Sequence, residues 1–225
     1  MKAPIAVALD APSLDVAKQW AHATAPFVDT LKIGLETYLR DGADAIAMVK
    51  ETDAHLFLDL KLHDIPNTVA GAARSVARFA PDFLTVHASG GAAMISAAAD
   101  ALPNTRITAV TILTSLTAED LESIGYQGEP MEAVTRLASL AVEAGARAIV
   151  CSPMEVAAVR SVVPADITLI TPGVRPLGAD AGDQARVATP QQAIADGANL
   201  VVIGRPITGA SDVAEAAREI GASLL

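Results

Sequence analysis

Short apolar runs alternate with longer, alanine-rich amphipathic stretches along the whole chain. Runs of leucine and β-branched residues fall at 5–10, 30–34, 55–61, 83–87, 106–113, 148–152, 168–172 and 200–204. Each has the length of a strand and too few residues for a typical helix. Between them, apolar residues recur at helical spacing, as over 13–24, 42–51, 69–80, 131–144 and 212–220. Strands separated by helices predict βαβ units and a parallel sheet. About eight such repeats in a chain of 225 residues favour closure into a single-domain (β/α)8 TIM barrel spanning residues 1–225. An open, doubly wound sheet is the structural alternative.

Two connections are long. One covers 173–189, after the seventh strand, and is rich in Gly, Asp and Ala; the other covers 113–130 and holds Gly125 and Gly128. A connection of that length in a compact domain tends to be functional. The acidic residues from Glu119 to Glu122 read as a solvated helix start.

Composition sharpens the picture. The chain is 52% hydrophobic but only 3% aromatic, so Val, Ile, Leu and Ala must fill the core, as suits a parallel sheet covered on both faces. A net charge of -10 argues against nucleic acid and anionic membrane surfaces as partners. An anionic ligand would need its positive contacts concentrated in one cleft. The single cysteine, Cys151, permits no intrachain disulfide and reads as a small buried residue, consistent with a reducing, cytoplasmic setting. The first residues reach Asp10 too soon for a signal-peptide apolar region, and no apolar stretch is long and uninterrupted enough for a transmembrane helix.

In such a barrel, chemistry gathers at the carboxyl ends of the strands. Asp10 ends the first predicted strand, Lys32 lies in the second, Asp59 and Lys61 end the third, and Arg205 follows the eighth. Asp59 and Lys61 are two apart, so they share one face of their strand, while Leu58, Leu60 and Leu62 face the other way. Buried charges persist only when paired, and Lys32, Asp59 and Lys61 can satisfy one another. A structural ion-pair network is the bland reading; the active end of the fold favours a functional one. Arg175 and the Gly204–Arg205 pair sit in the loops after strands seven and eight, where such barrels often hold phosphate. A lone Gly-Arg-Pro is otherwise a turn. His87 reads as a core or supporting residue, His63 as positional, His22 and His55 as structural or exposed, and Trp20 as helix packing. No metal site is apparent.

The segment from Phe57 to Thr68, FLDLKLHDIPNT, resembles the D-x-K-x-x-D-I-P-x-T stretch of the orotidine 5'-monophosphate decarboxylase family. Further similarity runs through Ala8–Asp10, Leu31–Gly34, Thr85–Ala88, Leu113–Ser115, Thr171–Pro176, Gly182–Val187 and Gly204–Ile207. The resemblance implies decarboxylation of orotidine 5'-monophosphate to UMP, the last step of de novo pyrimidine nucleotide synthesis, without a cofactor or metal. It implies that Lys61 stabilises and protonates the C6 carbanion, with Asp59, Lys32 and Asp64 completing the catalytic set. It implies that Asp10 and Lys32 meet the ribose, that Thr114 and Ser115 meet the pyrimidine edge, and that Pro172 packs near the ring. Arg175, Gln184, Gly204 and Arg205 would hold the phosphate. Ile65 and Thr68 would take part in substrate binding, and Asp64 and Thr68 would reach the site of the other subunit in a homodimer. Two alternatives stay open. One is a Mg-dependent hexulose-phosphate synthase or keto-gulonate-phosphate decarboxylase, which shares D-x-K-x-x-D. The other is a non-catalytic nucleotide-binding barrel.

Overall fold

A computed structural model describes residues 1–175 and 188–225. Eight parallel strands form one closed barrel in chain order: β1 (Ala3–Ala8), β2 (Val28–Ile33), β3 (His55–Leu62), β4 (Phe83–His87), β5 (Arg106–Val110), β6 (Ala148–Val150), β7 (Thr168–Thr171) and β8 (Leu200–Ile203). Pairing of β1 with β8, Ala6 opposite Val202, closes the ring. Helices fill the connections: α1 (Leu14–Thr24), α2 (Leu35–Asp41), α3 (Ala43–Lys50), α4 (Pro66–Val76), α5 (Ala92–Ala101), α6 (Ala118–Ser123), α7 (Pro130–Glu143), α8 (Val156–Val162), α9 (Pro190–Ala195), α10 (Arg205–Thr208) and α11 (Val213–Ala222).

The strands bury both faces, so they carry two cores. Outward positions such as Ile5, Val7, Leu31, Ile33, Leu56 and Leu58 pack against the helices in the larger core. Inward positions form a smaller plug of Ala6, Phe57, Phe83, Ala148, Ile170 and Leu200. The two phenylalanine rings meet at 5.5 Å between centroids, tilted by 53°, a favourable edge-toward-face geometry. Two of only four phenylalanines in the chain are thus placed on the barrel axis, where large side chains are needed to fill the interior. This plug floors the barrel, and the polar inward residues sit above it.

The repeat structure expected from the sequence is observed, with particular differences. The predicted helix over 42–51 is α3, but α2 precedes it, separated only by Gly42 at φ +56°. The helix expected over 69–80 starts earlier, with Pro66 in its first turn, and its tail tightens into a 3-10 turn at Ala77–Phe79. The connection 113–130 is not all loop. Thr117 and Asp120 form a reciprocal capping box that starts α6 where the acidic cluster stands. Of the other long connection, 176–187 lies outside the described residues, but its flanks are joined: Val174 bridges Ala188, and the Arg175 N–H donates to the Ala188 carbonyl at 2.9 Å.

Candidate active site

Alternation along β1, β2 and β3 brings the predicted charges to one place. The β1–β2 register sets Ala8 opposite Lys32, and the β2–β3 register sets Lys32 opposite Phe57. Lys32 and Asp59 therefore rise from neighbouring inward positions just above the aromatic plug. Lys32 Nζ lies 3.2 Å from Asp59 Oδ2 and 3.8 Å from Asp10 Oδ2. Lys61 Nζ donates to Asp59 Oδ1 at 2.8 Å. The result is a continuous chain, Asp10–Lys32–Asp59–Lys61, of alternating sign.

Each member is held by its surroundings. Leu9 is tied at both ends: its N–H donates to the Lys32 carbonyl at 3.0 Å, and its carbonyl accepts from the buried Thr37 hydroxyl of α2 at 2.7 Å. That fixes the backbone leading to Asp10. Gly34 leaves room for two of these charged groups. A Cβ there would stand 2.5 Å from Asp10 Oδ1 and 2.9 Å from Lys32 Nζ. Burial pushes the Asp59 carboxyl up, but the attraction and hydrogen bonds of Lys32 and Lys61 outweigh it and hold the group below its ordinary value. Asp59 is thus ionised.

Lys61 departs from strand geometry. Its φ is +48°, in the left-handed region that a residue with a Cβ seldom adopts. The β3–β4 ladder slips at that point: pairing advances from Leu58 to Leu62 on β3 while it advances only from Leu84 to Val86 on β4. The Lys61 N–H donates instead to the Thr85 hydroxyl at 2.8 Å, and that hydroxyl donates to Asp59 Oδ1 at 3.1 Å. Thr85 falls within a segment of family similarity, yet the sequence alone assigns it no role. Its one local signal is that it is a polar residue at an inward position, between Leu84 and Val86 in FLTVH.

These groups line a cavity of about 500 Å³ at the carboxyl end of the barrel. Its lining includes four cationic side chains, Lys32, Lys61, Arg175 and Arg205, and two carboxylates, Asp10 and Asp59. An excess of positive charge on a chain of net charge -10 is the concentration that an anionic ligand requires. Arg175 and Arg205 arrive from beyond β7 and β8, as predicted. Arg205 opens α10, which is a single turn, directly after Gly204. Thr114, Pro172 and Gly204 line the same cavity, with Phe57 and Val202 supplying apolar wall.

Other predicted residues stand apart. Asp64, Ile65 and Thr68 are exposed on the single chain and do not line the cavity. Asp64 instead accepts the N–H of Ile65 at 2.6 Å, at the entry to α4. Ser115 neighbours the lining residue Thr114 but does not line the cavity itself. Gln184 lies outside the described residues. His87 stacks obliquely against His63, with centroids 5.4 Å apart. Burial, then His63 and Lys61, lower its pKa, so its neutral form is favoured. Cys151 is buried, and burial pushes its thiol up, leaving it protonated and inert. Among the described residues, no cluster of three His, Cys, Asp or Glu side chains suits a metal ion, and no helix is long and apolar enough to cross a membrane.

Comparison with known proteins gives a consistent result. The family model described as "Orotidine 5'-phosphate decarboxylase / HUMPS family" matches residues 3–220. A Thermobifida fusca protein named orotidine 5'-phosphate decarboxylase is 63% identical over 225 residues, covering 100% of this chain and 97% of that protein. A Frankia casuarinae protein of the same name is 52% identical over 241 residues, covering 99% of this chain and 88% of that one. The crystal structure of orotidine 5'-phosphate decarboxylase from Lactobacillus acidophilus superposes with a TM-score of 0.87 at 34% identity, covering 99% of both chains.

Proposed function

The chain belongs to the orotidine 5'-phosphate decarboxylase / HUMPS family, and from that premise we propose that its alternating charge chain is the machinery that decarboxylates orotidine 5'-monophosphate. The enzyme converts that nucleotide to UMP, a step of pyrimidine nucleotide synthesis. The C6–carboxylate bond breaks, CO2 departs, and the bonding electron pair stays on C6. That orbital lies in the plane of the ring, so the ring carbonyls cannot take up the charge by enolate delocalisation. A preorganised cation must stabilise it. Lys61 supplies the ammonium and then gives C6 its proton. Asp59 fixes that ammonium and stands close to the departing carboxylate; Lys32 neutralises the other side of Asp59. Asp10 accepts from ribose hydroxyls. Thr114 and Ser115 address the pyrimidine edge, Pro172 packs near the ring, and Arg175, Gln184, Gly204 and Arg205 hold the phosphate.

The observation that carries this reading is the unbroken Asp10–Lys32–Asp59–Lys61 chain on the cavity floor. A Mg-dependent relative would bind its cation through such carboxylates. Here Lys32 Nζ already stands 3.2 Å from Asp59, and an ammonium there repels a divalent ion. Loss of orotidine monophosphate absorbance should therefore proceed unchanged after EDTA treatment, and Lys61→Ala should abolish it while UMP still binds. Strong inhibition by EDTA, or turnover by Lys61→Ala, contradicts the assignment.

Assembly as a homodimer belongs to the same reading, with Asp64 and Thr68 entering the partner's site. The exposure of Asp64, Ile65 and Thr68 on the single chain supports it, since FLDLKLHDIPNT otherwise turns its later residues away from the cavity. Complementation tests it. Lys61→Ala and Asp64→Ala are each inactive alone. Mixed and re-equilibrated, random pairing leaves one intact site in half the dimers, so about a quarter of wild-type activity returns. No recovery in demonstrated mixed dimers removes Asp64 from the neighbouring site. A cytoplasmic location completes the proposal, in keeping with one reduced, buried cysteine.

A further inference from the structure

We propose that Thr85 is a positioning residue for this reaction, setting both the ammonium of Lys61 and the carboxylate of Asp59 through one hydroxyl. The inference rests on the reading of Lys61 as the group that acts at C6. Thr85 itself does not line the cavity, so it acts through its neighbours.

Three observations converge. First, the β3–β4 ladder slips over the segment that carries Asp59 and Lys61, so the Lys61 N–H needs a partner other than a β4 carbonyl. Slips of this kind bend a strand and re-aim a side chain, and they are frequent beside active sites. Second, Lys61 sits at φ +48°, a conformation that persists only where the surroundings hold it. Third, Thr85 is fully buried, and its hydroxyl accepts the Lys61 N–H at 2.8 Å while donating to Asp59 Oδ1 at 3.1 Å. A backbone N–H can only donate and a carboxylate can only accept, so the bridging atom must do both. A hydroxyl does; a methyl group of the same size does neither. Asp59 Oδ1 in turn accepts Lys61 Nζ at 2.8 Å. The Thr85 oxygen thus closes a ring that runs through the backbone and the side chain of Lys61.

The geometry separates positioning from binding. Thr85 is on β4, whereas the residues assigned to ribose and phosphate come from β1, β2 and the loops after β7 and β8. Thr85→Val keeps the volume and removes both hydrogen bonds; Thr85→Ser keeps both. The measurements are kcat and KM for orotidine monophosphate and the Kd of UMP, in both variants and in Lys61→Ala. For Thr85→Val, kcat falls about 100-fold, the scale of a misplaced reacting group, while UMP affinity is unmoved; Thr85→Ser restores kcat. If Thr85→Val fails to fold, Thr85→Cys takes its place, since a thiol fills the space but bonds weakly; it too should lose kcat and keep UMP affinity. Wild-type kcat in the variant lacking the hydroxyl, a parallel loss of UMP affinity, or a serine variant as slow as the valine one overturns the proposal. Turnover by Lys61→Ala would overturn the Lys61 reading and this inference with it. An inactive Lys61→Ala beside a fully active Thr85→Val would sink the Thr85 role alone.

Discussion

Asp59 accepts contacts from three directions: Lys32 from β2, Lys61 from its own strand and Thr85 from β4. A carboxylate so surrounded is costly to bury and is stable only as part of the set. That makes single residues here unequal in their effects. Arg205 lines the same cavity, and its guanidinium suits a phosphate. Arg205→Ala should weaken UMP binding about 10- to 100-fold, the worth of a charge-assisted hydrogen bond, and leave uridine affinity unchanged. Calorimetric titration of the two ligands checks this; equal losses for both would remove Arg205 from the phosphate. At this scale, the sequence already singled out Asp10, Lys32, Asp59 and Lys61, because a charge at a strand end within an apolar pattern is too costly to persist without a partner or a task. It could not single out Thr85, since threonine is ordinary in strands and its importance comes from a slipped register between β3 and β4.

Elements place these residues by closing on one another. The last helix, α11, packs against α1 and β1. Its Gly221 lies where a Cβ would stand 3.1 Å from the Ala3 Cβ, so helix and barrel approach closely. Asp212 starts α11, its carboxylate accepting the Glu215 N–H at 2.9 Å. Asp212→Ala should destabilise the fold by about 1 kcal/mol without altering kcat, measured as a shift in denaturant midpoint at constant slope. An altered kcat would show that this helix reports to the site. The period of apolar residues made α1, α3, α7 and α11 legible. It did not reveal α2, α6 or α10, which are 7, 6 and 4 residues long. Helices that short present too few turns for a periodic signal. They begin and end by capping and by tertiary contact, as Thr117 and Asp120 do for α6.

For the whole molecule, the charge chain ties stability to pH. The Asp59 carboxyl is held below its ordinary value in the fold. Its contribution is therefore full above the unfolded carboxylate's pKa, about 4, and is lost as pH falls through the lower, folded value. Asp59→Asn leaves Lys32 and Lys61 facing each other without the anion between them. Wild type should be the more stable protein near neutrality, and the gap should close below about pH 4. Denaturant melts across that range check it; a gap that persists in acid contradicts the linkage. The sequence by itself determined the alternation of elements and the residue types at strand ends, because side-chain period and burial are local properties of the chain. It also determined the excess of acid elsewhere, which leaves few places for an anion. Only the tertiary structure decided that β8 meets β1, that two phenylalanines floor the barrel, and that Lys61 leaves the ladder for the Thr85 hydroxyl. Those outcomes depend on the register between separate strands and on closure of the ring, not on any one segment.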